Sequence, residues 1–111
     1  MTYPSTEPRP ALTSSELSHL ELKQTWWIGE GYDCEEVDSV VLDVIDTLRT
    51  WEAAAITGGA PQHQSTRRFL SSTELQGVMF RALKFGRSYD QDHVDDVLEH
   101  ATETLRNYES A

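Results

Sequence analysis

Hydrophobic residues recur in two long stretches of the chain at intervals of four, three, four and three residues. This heptad spacing gives each stretch one apolar face, as in helices that pack along one another, and a two-residue strand alternation does not fit it. A helix of twenty residues is about 30 Å long and is marginal unless that face is covered. We therefore predict two long helices with these packing faces: Val37, Val41, Val44, Leu48 and Trp51 in the first, and Val94, Leu98, Ala101, Leu105 and Tyr108 in the second.

The two stretches belong to an internal duplication. When residues 26–52 are placed over residues 83–109 with a constant offset of 57, the Tyr-Asp, Val-Asp and Thr-Leu-Arg positions coincide without a gap. The aromatic residue at the end of each apolar face also recurs, as Trp51 and Tyr108. A fixed period of this kind indicates two copies of one structural unit.

Each copy is predicted to contain a short helix, a hook-shaped bend at glycine and a long helix. Serine and threonine clusters can cap the short helices, at about 15–22 and 72–82. The long helix of the first copy is expected to begin at Asp33 with a capping box, in which Asp33 and Glu36 each accept a hydrogen bond from a free backbone N–H. The second copy has His93 at the position of Glu36, which predicts a weaker cap.

These elements predict an all-α fold, in which the two repeats pack through their heptad faces as a coiled-coil-like pseudo-dimer. A proline-rich start and a Gly-Gly-Ala-Pro segment suggest a tail and a linker. The predicted division is a flexible tail (1–12), the first repeat (13–55), a linker (56–69) and the second repeat (70–111). With both repeats in one chain, the molecule would be either a monomeric pseudo-dimer or a homodimer.

Charge and composition limit the possible functions. The net charge of −10 argues against nucleic-acid binding, which needs a basic surface. Cys34 is the only cysteine, so an internal disulfide is impossible and a reducing cytoplasm fits. His93 and His100 lie two helical turns apart, about 10 Å, which is too far for both to bind one metal ion. We therefore predict no catalytic residues, no cofactor and no metal site, and we find no signal peptide or membrane-spanning segment.

The hook-to-helix joints resemble the N-terminal domain of the DivIVA family. Its motif is, loosely, a basic residue and Gly-Tyr-Asp, followed after three positions by Val-Asp and an apolar seam. The matching residues are Gly31, Tyr32, Asp33, Val37 and Asp38 in the first copy, and Arg87, Tyr89, Asp90, Val94 and Asp95 in the second. The chain departs from the motif at Glu30, where a basic residue is expected, and at Ser88, which replaces the glycine; no long coiled coil follows.

The resemblance implies a non-enzymatic scaffold or adaptor of bacterial cell division or polar growth. In that family, helical dimers carry crossed loops whose exposed aromatic and basic residues insert into the inner leaflet. The corresponding hook residues here are Trp27, Arg81, Lys84, Phe85 and Arg87. At an offset of 57, Trp26 meets Leu83, a repeated apolar position, whereas Trp27 meets Lys84, which makes Trp27 the better candidate for an exposed contact.

Two hypotheses follow. In the first, the hooks recruit the protein to the cytoplasmic face of the cell membrane. The basic residues of the hook are explained equally well as solvated cations that balance the acidic helix. In the second, the chain is a soluble interaction module that binds a coiled-coil or division protein by its heptad face, without membrane contact. Tyr32 and Tyr89 could contact a ligand, but we expect them to pack the hook onto the helix start. Asp38 and Asp95 could act as acid–base groups, but we expect them to lie in the first helical turn, where negative charge suits the helix dipole.

Overall fold

A computed structural model describes residues 9–25, 30–84 and 86–110, which form four helices and a small four-stranded sheet. The elements in chain order are α1 (Ser14–His19), β1 (Gln24–Thr25), β2 (Gly31–Tyr32), α2 (Cys34–Thr57), α3 (Ser72–Gln76), β3 (Ala82–Leu83), β4 (Ser88–Asp90) and α4 (Gln91–Ser110). The all-α prediction is therefore wrong, because the hooks pair through their backbones as strands. These strands are two or three residues long, too short to show an alternating pattern in the sequence.

The sheet interlocks the two repeats. Its strand order is β1-β4-β2-β3, and every neighbouring pair is antiparallel. The first and second strands of one repeat are therefore never neighbours, because a strand of the other repeat lies between them. β1 and β2 both run antiparallel to β4, so Thr25 and Gly31 lie on opposite sides of β4. Leu83 and Ser88 lie on opposite sides of β2 in the same way.

The two long helices run in the same direction. They begin next to each other, since Tyr32 before α2 is hydrogen bonded to Asp95 in α4, and Tyr89 before α4 is bonded to Asp38 in α2. Towards their other ends, the rings of Trp51 and Tyr108 stack with centroids 5.5 Å apart and planes inclined by 11°. The two halves are thus related by an approximate two-fold axis between the long helices.

The predicted packing faces point into the core, but not as a two-helix coiled coil. Six of the ten residues are buried, namely Val37, Val44, Leu48, Val94, Ala101 and Leu105, and Val41, Trp51, Leu98 and Tyr108 are partly buried. The same apolar cluster contains Leu17 and Leu75 from the short helices, together with Leu12 and Leu70 just before them. The coiled-coil-like prediction is corrected accordingly, since each seam is covered by a short helix as well as by the other long helix.

The short helices are capped as predicted but end earlier. Thr13 with Glu16 and Ser71 with Glu74 each form a complete capping box. Each helix is also held by a carboxylate from the far end of its own long helix. Glu52 accepts hydrogen bonds from the backbone N–H and hydroxyl of Ser14, at 2.8 and 2.7 Å. Glu109 holds Ser72 in the same way, at 2.7 and 2.6 Å.

The segments that precede the short helices cross to the other repeat. The N–H of Leu12 donates to the hydroxyl of Thr104 in α4, and the N–H of Leu70 donates to that of Thr47 in α2, at 2.9 and 3.0 Å. Arg9 forms ion pairs on α4 as well. Residues 9–12, which the composition assigned to a flexible tail, therefore pack on α4, and residues 56 and 57 of the predicted linker belong to α2.

The offset that relates equivalent residues of the two repeats changes by one residue within the hook. Ser14 matches Ser72 and β1 matches β3 with an offset of 58, whereas Tyr32 matches Tyr89 and Glu52 matches Glu109 with the offset of 57. The first hook is thus one residue longer between Thr25 and Gly31. The predicted equivalence of Trp27 with Lys84 depends on where in the first hook the additional residue is inserted. Trp27 lies outside the described residues.

Candidate binding surface at the interlocked tip

The tip of the molecule is the four-stranded sheet together with the loops that join its strands. Its two tyrosines exchange hydrogen bonds across the approximate two-fold axis. The hydroxyl of Tyr32 donates to a carboxylate oxygen of Asp95 at 2.9 Å, and that of Tyr89 donates to Asp38 at 2.7 Å. The Tyr-Asp and Val-Asp positions of the motif therefore bind each other between repeats, not within one.

These bonds change the acidity of the phenols. Burial, followed by the hydrogen bond to Asp38 and its negative charge, raises the pKa of Tyr89 to about 12 from the usual 10. Burial and Asp95 raise the pKa of Tyr32 as well. A raised pKa keeps both phenols protonated, and therefore able to donate, over the physiological range.

The predicted capping box at the start of α2 is not formed. Asp33 does cap the helix, since its carboxylate accepts from the N–H groups of Glu35 and Glu36. Glu36, however, accepts from the N–H of Arg81, beside β3, at 2.6 Å. In the second repeat, Nδ1 of His93 accepts from the N–H of Lys23 at 2.9 Å.

Glu36 and His93 occupy equivalent positions, and each accepts a hydrogen bond from the other repeat. Both side chains satisfy a backbone donor just before the outer strand that belongs to the other copy. The exchange of a glutamate for a histidine is possible because both can accept a hydrogen bond. The contact links the long helix of one repeat to the hook of the other.

A glycine at the centre of the tip explains one departure from the motif. Gly31 and Ser88 are equivalent positions that meet across the two-fold axis, and both are buried. A Cβ atom at Gly31 would lie 2.6 Å from Cβ of Ser88 and 2.7 Å from the carbonyl oxygen of Tyr89. One of the two positions must therefore lack a side chain, and the hydroxyl of Ser88 instead bonds to that of Thr25 at 2.7 Å.

The structure describes three of the five predicted hook residues, and all three are exposed. These are Arg81, Lys84 and Arg87, which lie before β3, after β3 and before β4. The side chain of Arg87 donates from Nε to Gln24 at 3.0 Å. Trp27 and Phe85 lie outside the described residues.

Sequence reasoning missed a fourth cation at the tip. Lys23 is exposed and precedes β1 as Arg81 precedes β3. The backbone carbonyl of Lys23 accepts from the N–H of Asp90, and that of Arg81 accepts from the N–H of Asp33. The sequence signal that could have identified Lys23 is the offset of 58 between the "SSEL" and "SSTEL" segments, because this offset aligns Lys23 with Arg81. The constant offset of 57 concealed it.

Cys34 does not have the environment of a nucleophile. Burial and the neighbouring carboxylate of Asp38 raise the pKa of its thiol, and the opposing effect of Arg87 is smaller than these two. Its sulfur lies 3.8 Å from the carbonyl oxygen of Arg87, a weak hydrogen bond at most. A raised pKa leaves the thiol, which is the unreactive form, predominant.

Two grooves flank the tip, one on each repeat. The first-repeat groove, about 810 Å³, is lined by Leu17, Ser18, Leu20, Glu21, Leu22, Gln24, Asp38, Val41, Leu42, Ile45 and Tyr89. The second-repeat groove, about 500 Å³, is lined by Tyr32, Leu75, Gln76, Val78, Met79, Phe80, Asp95, Leu98, Glu99, Thr102, Glu103 and Arg106. Each is closed at the tip by the tyrosine–aspartate pair.

Residues 9–25, 30–84 and 86–110 contain no group of three or more His, Cys, Asp or Glu side chains placed to hold a metal ion. In the same part of the chain, no helix is both long and apolar enough to cross a membrane. No family model, curated protein or solved structure matches the chain. The resemblance to DivIVA proteins therefore stays a prediction that rests on the motif residues.

Proposed function

We propose that the chain is a non-catalytic recruitment scaffold of the DivIVA type, whose tip contacts an anionic lipid surface inside the cell. The observation that carries this proposal is the interlocked sheet, which holds the strands on both sides of each hook segment together. A family that works as a dimer needs two chains to bring two hooks together. Here the duplication supplies both hooks in one chain.

The distribution of cations supports contact through the tip. In the described part of the chain, Arg9, Arg49, Arg67 and Arg68 form ion pairs. Of the five exposed cations in this part that form none, four lie at the tip and one, Arg106, lies elsewhere; the four are Lys23, Arg81, Lys84 and Arg87. The rest of the molecule is strongly acidic and would be repelled by anionic lipid. Contact with such a surface is therefore expected through the tip.

Electrostatic attraction alone would be weak. Each cation near an anionic membrane contributes about 1 kcal/mol, so a few cations need an apolar insertion as well. The hook sequences contain the residues suited to it, since Trp26 and Trp27 precede β2 and Phe85 precedes β4. Tryptophan is favoured at membrane–water interfaces, where one part of the ring system is wet.

The tip chemistry supports a structural rather than a catalytic role. The tyrosines and aspartates that could transfer protons are bonded to each other between repeats. Glu36 and His93 are occupied by backbone donors. These bonds hold the hooks together, and both phenol hydroxyls are engaged as donors in them.

Sedimentation with vesicles of anionic phospholipid tests the proposal. We expect the wild type to pellet with the vesicles at low salt, and replacement of Arg81, Lys84 and Arg87 by glutamine to weaken binding more than tenfold, because these cations face the lipid. The matched control replaces Arg49, Arg68 and Arg106, three exposed arginines away from the tip, and removes the same charge.

The control triple is expected to bind the vesicles almost as well as the wild type. Two results would overturn the proposal: a wild type that stays in the supernatant at low salt, or an equal loss of binding in both triple variants. The second result would show a general effect of net charge.

A second candidate function, a protein-interaction adaptor without membrane contact, is favoured by the first-repeat groove. The heptad faces are covered within the molecule, so they are not free for a partner's coiled coil. Leu20 and Leu42 are instead exposed in the groove. A protein partner would bind there.

A further inference from the structure

The first-repeat groove exposes apolar side chains on its α2 wall, where the α4 wall of the second-repeat groove is polar. The second-repeat groove has its exposed apolar residue, Met79, on the other wall. Leu20 on the segment after α1 is 40% exposed, and Leu42 on α2 is 44% exposed. They face a groove whose other lining includes Leu17, Val41 and Ile45. Grouped, exposed apolar residues of this kind mark binding sites more often than singly scattered ones do.

The second-repeat groove is an internal reference for this comparison. At the positions equivalent to Leu42 and Ile45, α4 carries Glu99 and Thr102. At the position of Leu22 stands Phe80, whose ring packs on Tyr32 with a centroid distance of 5.2 Å and partly fills the space. The fold therefore tolerates a polar wall, and the apolar wall of the first-repeat groove is not required by the architecture.

The charged residues that line the first-repeat groove have one sign. Among its lining residues only Glu21 and Asp38 are charged, and both are acidic. The first 57 residues carry eleven acids and three bases, a net charge of −8. A second copy of this acidic half would be repelled, whereas a cationic partner would be attracted.

The size of the groove fits a short helical segment. Its α2 wall runs from Asp38 to Ile45, which is two turns or about 10 Å. Its volume of about 810 Å³ and its open rim, with two exposed leucines, suit the apolar face of a helix. Such a helix would place large apolar residues at positions i, i+3 or i+4, and i+7.

We propose that the first-repeat groove binds an amphipathic helix of a protein partner, with leucine-type residues on its apolar face and lysine or arginine beside them. The apolar face packs between Leu20 and Leu42, and the cations face Glu21 and Asp38. This inference rests on the adaptor function but not on lipid binding by the tip, because none of the exposed hook cations lines the groove.

A designed helical peptide of about twenty residues, with leucines at the stated spacing and lysines on the polar face, is the probe. Binding is measured by fluorescence anisotropy, and amide shifts of the isotope-labelled protein locate the site. Leu42→Glu copies the residue of the second repeat, so it is expected to fold and to bind at least about tenfold more weakly, because a buried leucine contact is lost. Ile56→Glu is the matched control, since Ile56 is 87% exposed on the same helix away from the groove.

We expect the lysine peptide to bind, with shifts at Leu20 and Leu42, and the Ile56 variant to bind like the wild type. The inference is overturned if no binding occurs, if a glutamate version of the peptide binds equally well, or if Leu42→Glu has no effect. Sedimentation equilibrium adds a further outcome: a wild-type dimer that Leu42→Glu converts to a monomer would assign the groove to a second copy. Leu42→Glu should leave vesicle binding intact, so failure here is distinct from failure of the membrane proposal.

Discussion

Gly31→Ser is expected to destabilise the protein by about 3 kcal/mol, the upper end of the range for overpacking a buried site. The new Cβ would meet Ser88 and the backbone of Tyr89 at less than 3 Å. The carbonyl of Tyr89 lies in β4, one of the two central strands, and cannot move without disturbing both neighbouring strands. Urea unfolding of the wild type and the variant measures the difference.

Two further variants separate this clash from a general effect of losing a glycine. Gly77→Ser is the matched control, because a Cβ there meets its nearest neighbours at 3.7 Å, and we expect a change below about 1 kcal/mol. Combining Gly31→Ser with Ser88→Gly should recover part of the loss, since one side chain again occupies the axis. Recovery stays partial because the carbonyl of Tyr89 remains close. Equal stability of the Gly31 and Gly77 variants would refute the role assigned to Gly31.

Tyr89→Phe is expected to lower the free energy of unfolding by about 1.5–3 kcal/mol at neutral pH, the range for a hydrogen bond to a charged group. It removes the 2.7 Å bond to Asp38 and leaves that carboxylate without its partner from the other repeat. Tyr32→Phe, which removes the equivalent bond to Asp95, should have a similar effect. Equilibrium unfolding in urea provides both values.

The effect of Tyr89→Phe should disappear at alkaline pH. The folded-state pKa of Tyr89 is raised to about 12, above the usual 10, so its stabilising contribution is complete below pH 10 and is lost as the pH rises towards 12. The stability difference between wild type and variant should therefore shrink over that interval. A difference that stays constant from pH 9 to 11.5, or phenol absorbance showing that Tyr89 ionises near pH 10, would contradict the assigned bond.

The helices could be predicted from the sequence because their signals are local. The heptad spacing identified the apolar faces from Val37 and Val94 onwards, and the capping residues marked where the helices begin. Val44, Leu48 and Leu105, which were predicted to lie on the packing faces of the long helices, are buried. Each of these features follows from residues within one or two helical turns of one another.

The sheet and the exchange between repeats could not be predicted in the same way. β1 has only Gln24 and Thr25, and nothing in those two residues indicates that they pair with Tyr89 and Ser88 in the other repeat. The partners of Tyr32 and Glu36 lie 63 and 45 residues away along the chain. The recurrence of tyrosine and aspartate six positions apart in both copies was visible, but it did not show that each binds the opposite copy.

The interlocking of the two repeats at the tip is the central feature of this fold. A nuclear Overhauser spectrum of the isotope-labelled protein tests it directly, because backbone protons of paired strands lie close together. We predict cross-peaks between β1 and β4, between β4 and β2, and between β2 and β3, with Tyr32 opposite Tyr89. Cross-peaks between β1 and β2 and between β3 and β4, as in two separate hairpins, would contradict it.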